Sequence, residues 1–293
     1  MKKLVIVALS AVLAMMAVEP AHAQDQKVLA IIDTAIDSNK VASVIYEACF
    51  TDSKTMGCPN GLTAMEGKGS ANSPVWPNTQ IGKLGNVYHG HNMVQAALAI
   101  NPDVKIVFVR YADIVSKTGA ISTQTNSLIN AIKWVSDNAS KFSIDAVSIS
   151  QAFVDKKQLA LCSENTVVAS VASLNAQNIT TFAATGNNRR SDVVGFPSCV
   201  NGVVGVGALA SSVKTPTLYN VFDGSTNRGL GLDIVAPGDI SIVRYNGTVA
   251  KTSATSGATA IAASTYVKTN TSTSFADFAS KLVNVLGYPY ISK

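Results

Sequence analysis

Few side chains in this sequence can move protons near neutral pH, and they occur in a defined order. After the first 23 residues there are only two histidines, His89 and His91, and both lie in one short motif. Asp33 ends an apolar run upstream, Asn187 follows another apolar run, and Ser256 lies in a run of small residues far downstream. An acid, a base, an amide donor and a hydroxyl are the groups that an acyl-transfer enzyme uses. The order predicts hydrolytic chemistry with a serine nucleophile.

The chemistry of each group indicates its role. A serine hydroxyl is a weak nucleophile until a base removes its proton, so Ser256 would need His89. The carboxylate of Asp33 would hold the imidazole in one tautomer and stabilise its protonated form. The side-chain amide of Asn187 and the backbone N–H of Ser256 would donate to the oxyanion that forms on the substrate.

Each of these motifs also has an ordinary interpretation. An aspartate at a strand end is often a nucleotide or metal contact, and His89 and His91 together could be ligands of a metal ion. A Ser-Gly pair is common in packed helices, and the Gly-Asn pair before residue 188 is common in turns. The shared order and spacing of all four groups favour the catalytic interpretation.

The elements that must position these groups alternate between short apolar, β-branched runs and stretches with helical periodicity. This alternation predicts an α/β fold with a mainly parallel central sheet flanked by helices. Continuous apolar runs are typical of parallel strands, which are covered on both faces. The predicted strands are 27–32, 104–110, 144–149, 179–184 and 203–206, and the predicted helices are 92–100, 128–135, 167–174, 257–266 and 275–286.

Two boundaries in this scheme bear on function. His89 and Ser256 each directly precede, or nearly precede, a predicted helix, where backbone N–H groups favour negative charge. The last helix is predicted to begin at a Ser274 cap and to stop at Gly287.

Residues 51–88 form a long stretch rich in Gly, Pro, Ser, Thr and Asn, which is typical of a functional or flexible loop at the border of a substrate cleft.

The first 23 residues have the pattern of a secretory signal. Lys2 and Lys3 precede an apolar stretch, and Ala21-His22-Ala23 is a small-residue cleavage site. The remaining residues, 24–293, are predicted to form one domain with no later run of membrane-spanning length. Removal of the signal takes away two lysines and one glutamate and lowers the net charge from +5 to +4. This scattered excess does not favour nucleic acid as a partner.

The four cysteines are even in number, which in an exported protein indicates two disulfides. A local bridge between Cys49 and Cys58 is the simplest of the three pairings and leaves Cys162 for Cys199. A zinc site is the alternative, although the sequence contains no C-x-x-C motif.

Taken in order, the motifs resemble those of the subtilisin-like (subtilase) serine peptidases, in which the catalytic residues follow the order Asp, His, Ser. The resemblance extends over about residues 27–268 and so covers nearly the whole predicted domain. The similar segments are 28–37 (strand plus D-T-G-[IV]-D), 89–94 (H-G-T-H-V-A), 146–152 (the substrate strand), 183–187 (A-A-G-N), Phe196-Pro197, 232–238 (D-V-x-A-P-G) and 254–264 (G-T-S-M-A-T-P-H-V-A-G).

The resemblance implies an exported serine endopeptidase that acts on protein or peptide substrates. It assigns the triad to Asp33, His89 and Ser256, with Asn187 in the oxyanion hole. Ser253 and His91 are the competing choices; Ser256 is preferred for the small residues that follow it, and His89 because Gly90 follows it. By the same resemblance, the peptide and its first pocket are lined by Ser150, Gln151, Ala152, Ala184, Thr185 and Gly186.

The sequence also departs from the family pattern. Ala35, Ala254 and Ala260 stand where family motifs have Gly, Gly and Pro. Only residues 24–26 separate the predicted cleavage site from the first predicted strand. The chain is therefore expected either to fold without the family's usual propeptide or to be restrained by a separate inhibitor or folding partner.

Alternatives to a peptidase are also defined by the sequence. The second hypothesis is a catalytically silent subtilisin-like fold that acts as a binding or inhibitory protein. An α/β-hydrolase esterase would have a G-x-S-x-G motif, and a nucleotide-binding module would have a glycine-rich phosphate loop, and neither motif is present. No cofactor is expected. Because acidic residues are few, 18 in all, no obligatory metal is predicted, and calcium is left open.

Overall fold

The central strand of the fold is β1, Val28–Asp33, in which all six residues are buried. The computed structural model describes residues 26–52, 56–73, 87–114, 121–211, 219–269 and 274–293. Along β1, Val28, Ala30 and Ile32 pack into one apolar cluster, and Leu29 and Ile31 pack into another on the opposite face. Side chains alternate across a strand, so burial of both sets requires a layer of helices on each side of the sheet.

The main sheet contains seven parallel strands among the described residues. Their order is β11-β9-β8-β7-β1-β4-β2, and β10 and β3 pair antiparallel with β9 and β2. The bounds are Val44–Phe50 (β2), Ala64–Glu66 (β3), Lys105–Arg110 (β4), Ala112–Ile114 (β5), Ile121–Thr123 (β6), Ala146–Ile149 (β7), Thr180–Ala184 (β8), Val203–Ser211 (β9), Tyr219–Phe222 (β10), Ile234–Pro237 (β11), Ser241–Val243 (β12), Val249–Lys251 (β13), Asn284–Val285 (β14) and Tyr288–Pro289 (β15).

The helices form the two outer layers. Their bounds are His89–Ile100 (α1), Thr125–Asn138 (α2), Lys156–Leu159 (α3), Asn165–Ala176 (α4), Ala254–Thr269 (α5) and Phe275–Ser280 (α6), with 3-10 turns at Ser38–Lys40 and Ala160–Ser163. α2 and α4 share the first apolar cluster, and α1 and α5 share the second. α5 is buried on nearly all sides, which is why it consists largely of small and apolar residues.

Strand order places the end of β1 where parallel sheets commonly build sites. From β1 the chain runs outward to β2, returns to β4, and then crosses to β7 on the other side of β1. The direction of progress across the sheet therefore reverses beside β1. In open α/β sheets a crevice forms at such a point, beyond the carboxyl ends of the strands, and Asp33 is the last residue of β1.

The predicted α/β class and parallel sheet are confirmed. The five predicted strands correspond to β1, β4, β7, β8 and the first half of β9, with boundaries shifted by one or two residues at the shared ends. The sequence prediction missed β2, in which Glu47 interrupts an otherwise apolar run. The carboxylate is buried because two backbone N–H groups of the following segment bond to it, a contact that the strand's own sequence does not reveal.

The prediction of one long C-terminal helix over 275–286 was wrong. Ser274 does cap a helix, since its hydroxyl accepts a hydrogen bond from the backbone N–H of Asp277 at 3.3 Å, but α6 ends at Ser280. Val285 pairs with Tyr288 across a two-residue turn in which Leu286 and Gly287 both have positive φ, 55° and 87°. Such a turn matches the twist of a hairpin and cannot continue a helix.

Two buried side chains fasten the long connection that leads toward His89. The carboxylate of Glu47, on β2, accepts hydrogen bonds from the backbone N–H groups of Gly69 (2.9 Å) and Ala71 (3.1 Å). The guanidinium of Arg110, at the end of β4, donates to the carbonyls of Asn72 (2.6 Å) and Gly57 (3.1 Å). The predicted irregular segment is therefore anchored over residues 56–73; residues 53–55 and 74–86 lie outside the described residues, as does the predicted signal segment.

Both predicted disulfides are present. Cys49, on β2, forms a bridge with Cys58 at a sequence separation of nine, and Cys162 and Cys199 form a bridge at a separation of 37. The first closes the start of the anchored segment. The second joins the turn before α4 to the loop before β9.

We predict that loss of the Cys162–Cys199 bridge costs more stability than loss of the Cys49–Cys58 bridge. Closure entropy increases with loop length, so the two bridges should contribute about 4 and about 2.5 kcal/mol to the free energy of unfolding. Denaturant unfolding of the two Cys→Ala pair variants measures this. Each variant is also unfolded with its remaining bridge oxidised and with that bridge reduced. This comparison measures the effect of the covalent bond without a change in the packing of the cysteine side chains. A larger loss for the shorter loop would contradict the prediction.

Candidate active site

The first half of the site is a hydrogen bond between a buried carboxylate and the first residue of a helix. His89 Nδ1 lies 2.8 Å from Asp33 Oδ1, and the backbone N–H of Thr34 donates to the same oxygen at 2.6 Å. The Asp33 side chain is fully buried, whereas 28% of the His89 side chain is exposed. Because Nδ1 faces the carboxylate, Nδ1 carries the hydrogen, and the lone pair of Nε2 is left for the cleft.

The environment of His89 favours its charged form. Burial lowers the pKa of the imidazole, but the charge of Asp33 and the hydrogen bond from Nδ1 raise it, and the net result is a pKa above the ordinary value of 6.5. A base with this shift can accept a proton in the reaction and hold it near neutral pH.

A glycine lets the histidine helix approach the sheet. A Cβ at Gly90 would lie 2.5 Å from Phe108 Cζ and 2.8 Å from the Thr34 carbonyl oxygen. The backbone N–H of Gly90 donates to Thr34 Oγ1 at 2.9 Å, which fixes the start of α1 over the end of β1. The glycine at this position is thus required by close packing. The sequence prediction placed the helix start at 92, whereas His89 itself lies in the first turn.

Ser256 lies in the first turn of α5, which begins at Ala254. The sequence prediction had this helix begin at Gly257, directly after Ser256. Its hydroxyl donates to the carbonyl oxygen of Ser150 at 3.1 Å, and the hydroxyl of Ser150 donates to the carbonyl oxygen of Ser256 at 3.0 Å. A hydroxyl has one hydrogen, so Ser256 must release Ser150 before it can donate to His89. Ser253, the competing serine, is exposed and precedes the helix.

Small residues are required around the start of α5. A Cβ at Gly257 would lie 2.2 Å from the Gly238 carbonyl oxygen and 2.6 Å from Thr252 Oγ1. Ala254, which stands at a glycine position of the family motif, has a φ of 55°, in the left-handed region that glycine adopts without strain. Alanine at position 254 therefore holds a backbone conformation that favours glycine.

Asn187 is linked to the serine helix through its own side chain. Its Oδ1 accepts hydrogen bonds from the backbone N–H of Thr255 at 3.1 Å and from Thr255 Oγ1 at 2.8 Å. With the carbonyl end held in this way, the amide NH₂ is the end left to face the cleft. Thr255 is fully buried and was not singled out by the sequence reasoning.

These groups border one open cleft of about 340 Å³. His89, Asn187 and Ser256 all line it, and so do Ser253 and Ala254. Its far wall comes from the hairpin β12–β13 and includes two cationic side chains, Arg244 and Lys251, which the sequence reasoning missed. In the sequence, only the position of Arg244 and Lys251 shortly before the serine motif indicates that they lie near the site.

The residues predicted to hold the peptide lie at the ends of β7 and β8, beside Ser150. The methyl group of Ala152 lies 3.2 Å from the position that a Cβ would take on Gly186. The backbone carbonyl oxygen of Thr185 accepts a hydrogen bond from the backbone N–H of Gly195 at 2.9 Å. Phe153 and Phe196 pair through their backbones in an antiparallel β-bridge. Ala184 and Thr185 are buried, whereas Gln151 and Ala152 are partly exposed. These residues form an edge next to Ser256 rather than part of the described cleft.

His91, the competing histidine, faces the interior. It is 2% exposed, and its Nδ1 has no hydrogen-bond partner among the described residues. Burial lowers the pKa of His91 to about 4, opposed in part by the charge of Asp37 and assisted by Lys40. No group of three or more His, Cys, Asp or Glu side chains in the described ranges is placed to hold a metal ion.

Comparisons with known proteins agree with this arrangement. The sequence model of the subtilase family matches residues 24–272, and the chain belongs to that family. It is a serine-type endopeptidase. Among curated proteins, no sequence matches the chain at a significant level.

Solved structures show the same fold at low identity. Proteases from Pseudoalteromonas arctica share 16% identity at a TM-score of 0.66, with 90% of this chain and 85% of that chain covered. A lanthipeptide protease shares 16% at a TM-score of 0.62 (91% and 84% covered). A cold-adapted subtilisin-like serine proteinase shares 22% at a TM-score of 0.56 (83% and 76% covered). No helix in the described parts of the chain is both long and apolar enough to cross a membrane.

We predict that stability falls with acid through His91. The folded state holds His91 neutral down to a pKa of about 4, whereas the unfolded chain binds the proton near 6.5. The unfolded state therefore binds more protons between these values, and up to about 3 kcal/mol is lost as pH falls through this window. His91→Gln should flatten the dependence relative to wild type, measured by denaturant unfolding from pH 7 to pH 4. Equal slopes in the two proteins would contradict it.

We predict that Ala254→Gly stabilises the protein by up to about 1 kcal/mol, because relief of the left-handed strain exceeds the added entropy of the unfolded chain. The matched control is Ala169→Gly, on the exposed side of α4, which should destabilise by about 0.5–1 kcal/mol. Thermal and denaturant unfolding give both values. A loss at position 254 equal to that at 169 would show that the positive φ carries no strain.

Proposed function

We propose that the chain is an exported endopeptidase in which Ser256 is the nucleophile, His89 the general base and acid, and Asp33 the orienting carboxylate. The observation that carries the proposal is the meeting of His89, Asn187 and Ser256 in one cleft, with Asp33 bonded to His89 behind it. The family membership supports the reaction class.

In the first half of the reaction, Ser256 Oγ attacks the carbonyl carbon of the scissile bond while its proton passes to His89 Nε2. The imidazolium that forms is stabilised by Asp33, whose carboxylate keeps the hydrogen bond to Nδ1. His89 then gives the proton to the departing amine nitrogen, and an acyl-enzyme remains on Ser256. Water repeats the same sequence to release the acid.

The negative charge of the tetrahedral intermediate needs donors that are already in place. We assign these to the side-chain amide of Asn187 and the backbone N–H of Ser256. Asn187 is suited to this because Thr255 holds its carbonyl oxygen, so that the NH₂ group need not reorganise during the reaction. Loss of one such donor typically costs about 3 kcal/mol of transition-state stabilisation.

The acyl side of the substrate is assigned to the edge formed by residues 150–152 and 184–186. Ser150 is bonded in both directions to Ser256, so a peptide strand lying along this edge would bring its carbonyl carbon next to Oγ. Position 186 on this edge has no room for a side chain, because a Cβ there would lie 2.5 Å from Asn227 Nδ2 and 3.2 Å from Ala152 Cβ.

Export is proposed from the predicted signal of residues 1–23 and from the two disulfides. Disulfides form and persist in oxidising compartments and are rare in the cytosol. The protein would act in the periplasm or outside the cell after the signal is removed.

The nucleophile is tested by hydrolysis of a denatured protein substrate by the signal-cleaved chain. We predict that Ser256→Ala lowers kcat/KM by about 10⁴-fold or more, since the acyl-enzyme can no longer form. Ser253→Ala is the matched control, because this serine lines the same cleft, and it should keep activity within a few-fold of wild type. Loss of activity only in Ser253→Ala would overturn the assignment. A folded wild-type protein with no hydrolysis would favour a binding fold.

We predict that kcat/KM rises with pH along a single ionisation whose midpoint lies above 6.5. The base must be neutral to accept the Ser256 proton, and Asp33 raises the pKa of His89. Activity is therefore lost as pH falls through that raised pKa. In Asp33→Asn the midpoint should move down, and the plateau should fall by about 10⁴-fold. A midpoint that is unchanged in Asp33→Asn would show that the carboxylate does not act on His89.

A further inference from the structure

We propose that the cleft next to His89 binds a carboxylate on the leaving side of the substrate, through Arg244 and Lys251. The inference rests on the proposed function, because it takes Ser256 and His89 as the reacting groups. It adds a substrate preference: the carboxylate belongs to an acidic residue directly after the scissile bond, or to the free carboxyl terminus of a short leaving segment.

The position of His89 identifies the side of the substrate that this cleft receives. His89 must reach the departing nitrogen to protonate it, so the leaving segment has to lie along the wall next to the histidine. The cleft extends from His89 and Ser256 to the β12–β13 hairpin. Residues 150–152 and 184–186, assigned to the acyl side, are not part of its lining.

The lining carries positive charge without an acidic side chain. Arg244 and Lys251 are the charged residues that line it, and both are exposed. Lys251 Nζ lies 3.5 Å from Asp239 Oδ2, but Lys293 Nζ approaches the other oxygen of the same carboxylate at the same distance. One carboxylate thus serves two ammonium groups. Within the described residues, no ion pair involves the Arg244 guanidinium.

The hairpin that carries Arg244 and Lys251 packs against the helix that begins with His89. Ile242, on β12, is buried against Met93 and Ala96 of α1, the helix that begins with His89. At the tip of the hairpin the ring of Tyr245 stacks on Tyr88, with ring centroids 4.1 Å apart. The hairpin backbone that carries Arg244 and Lys251 therefore belongs to the same packed unit as His89.

The cleft is lined by both apolar and cationic side chains, and this combination indicates the kind of substrate side chain that fits. Ile242 and Met93 give the cleft an apolar side, while Arg244 and Lys251 give it a cationic end. A glutamate has an apolar stem and a carboxylate tip, which matches both parts. Exposed pairs are individually weak, so two of them should give a preference of about fivefold rather than absolute specificity.

The experiment compares sites of cleavage in a mixture of peptides. Wild type, Arg244→Gln/Lys251→Gln and the control Lys133→Gln, an exposed lysine on α2, are incubated with the mixture at low salt, and new amino termini are identified by mass spectrometry. We expect Asp and Glu to be enriched about fivefold at the new amino termini with wild type and Lys133→Gln. The enrichment should disappear in the double variant and decline at high salt.

Matched peptides distinguish the two sources of the carboxylate. One pair has Glu or Gln after the scissile bond and an amidated carboxyl terminus further on. A second pair has a neutral residue there, with its carboxyl terminus either free or amidated. Preference in the first pair alone indicates a side chain, and preference in the second alone indicates the terminal carboxylate.

Binding separates this inference from the proposed function. Affinities of the same peptides for Ser256→Ala, measured by fluorescence anisotropy, report the carboxylate preference without hydrolysis. If wild type hydrolyses nothing but the variant still binds the acidic peptide about fivefold more tightly, carboxylate binding by the cleft stands, whereas its place on the leaving side fails together with the proposed function. Equal cleavage and equal binding of Glu and Gln peptides, or a preference that persists in the double variant, would overturn the inference.

Discussion

The hydrogen bond between the buried carboxylate of Asp33 and Nδ1 of His89 is the contact on which the arrangement of the site depends. A carboxylate at the end of a fully buried strand is costly unless it is hydrogen-bonded. Thr34 and His89 both bond to Oδ1, whereas Oδ2 has no hydrogen-bond partner among the described residues. Gly90 makes the close approach of the histidine helix sterically feasible. The contact that partly offsets the burial of Asp33 also sets the tautomer and orientation of His89, the proposed base.

The second half of the site depends on small residues around the serine helix. Gly257 allows α5 to press against Gly238, and Ala254 adopts a left-handed turn just before Ser256. Asn187 is tied to this helix start through Thr255. Because α1 and α5 pack together on one face of the sheet, His89 and Ser256, the proposed base and nucleophile, lie on adjacent helices of a single layer.

Much of this could be predicted from the sequence. Continuous apolar runs gave the parallel sheet because its strands are covered on both faces, and Asp33 was identifiable because a charged residue closed such a run. The outer strand β2 was missed, since the burial of Glu47 within its apolar run depends on contacts with a distant segment. Leu286 was predicted to belong to a helix that stops at Gly287, because a two-residue hairpin depends on backbone angles that periodicity does not reveal. Arg244 and Lys251 were missed because their role arises only when the β12–β13 hairpin folds over α1.

The most direct test of the assembled site is a fluorophosphonate probe with the adduct located by peptide mass spectrometry. Such a probe reacts with a serine only when a base activates it. We expect the signal-cleaved protein to carry the adduct on Ser256 and to lose it in His89→Ala, with circular dichroism confirming that both proteins are folded. An adduct on Ser253, or none on the folded wild-type protein, would contradict the triad of Asp33, His89 and Ser256.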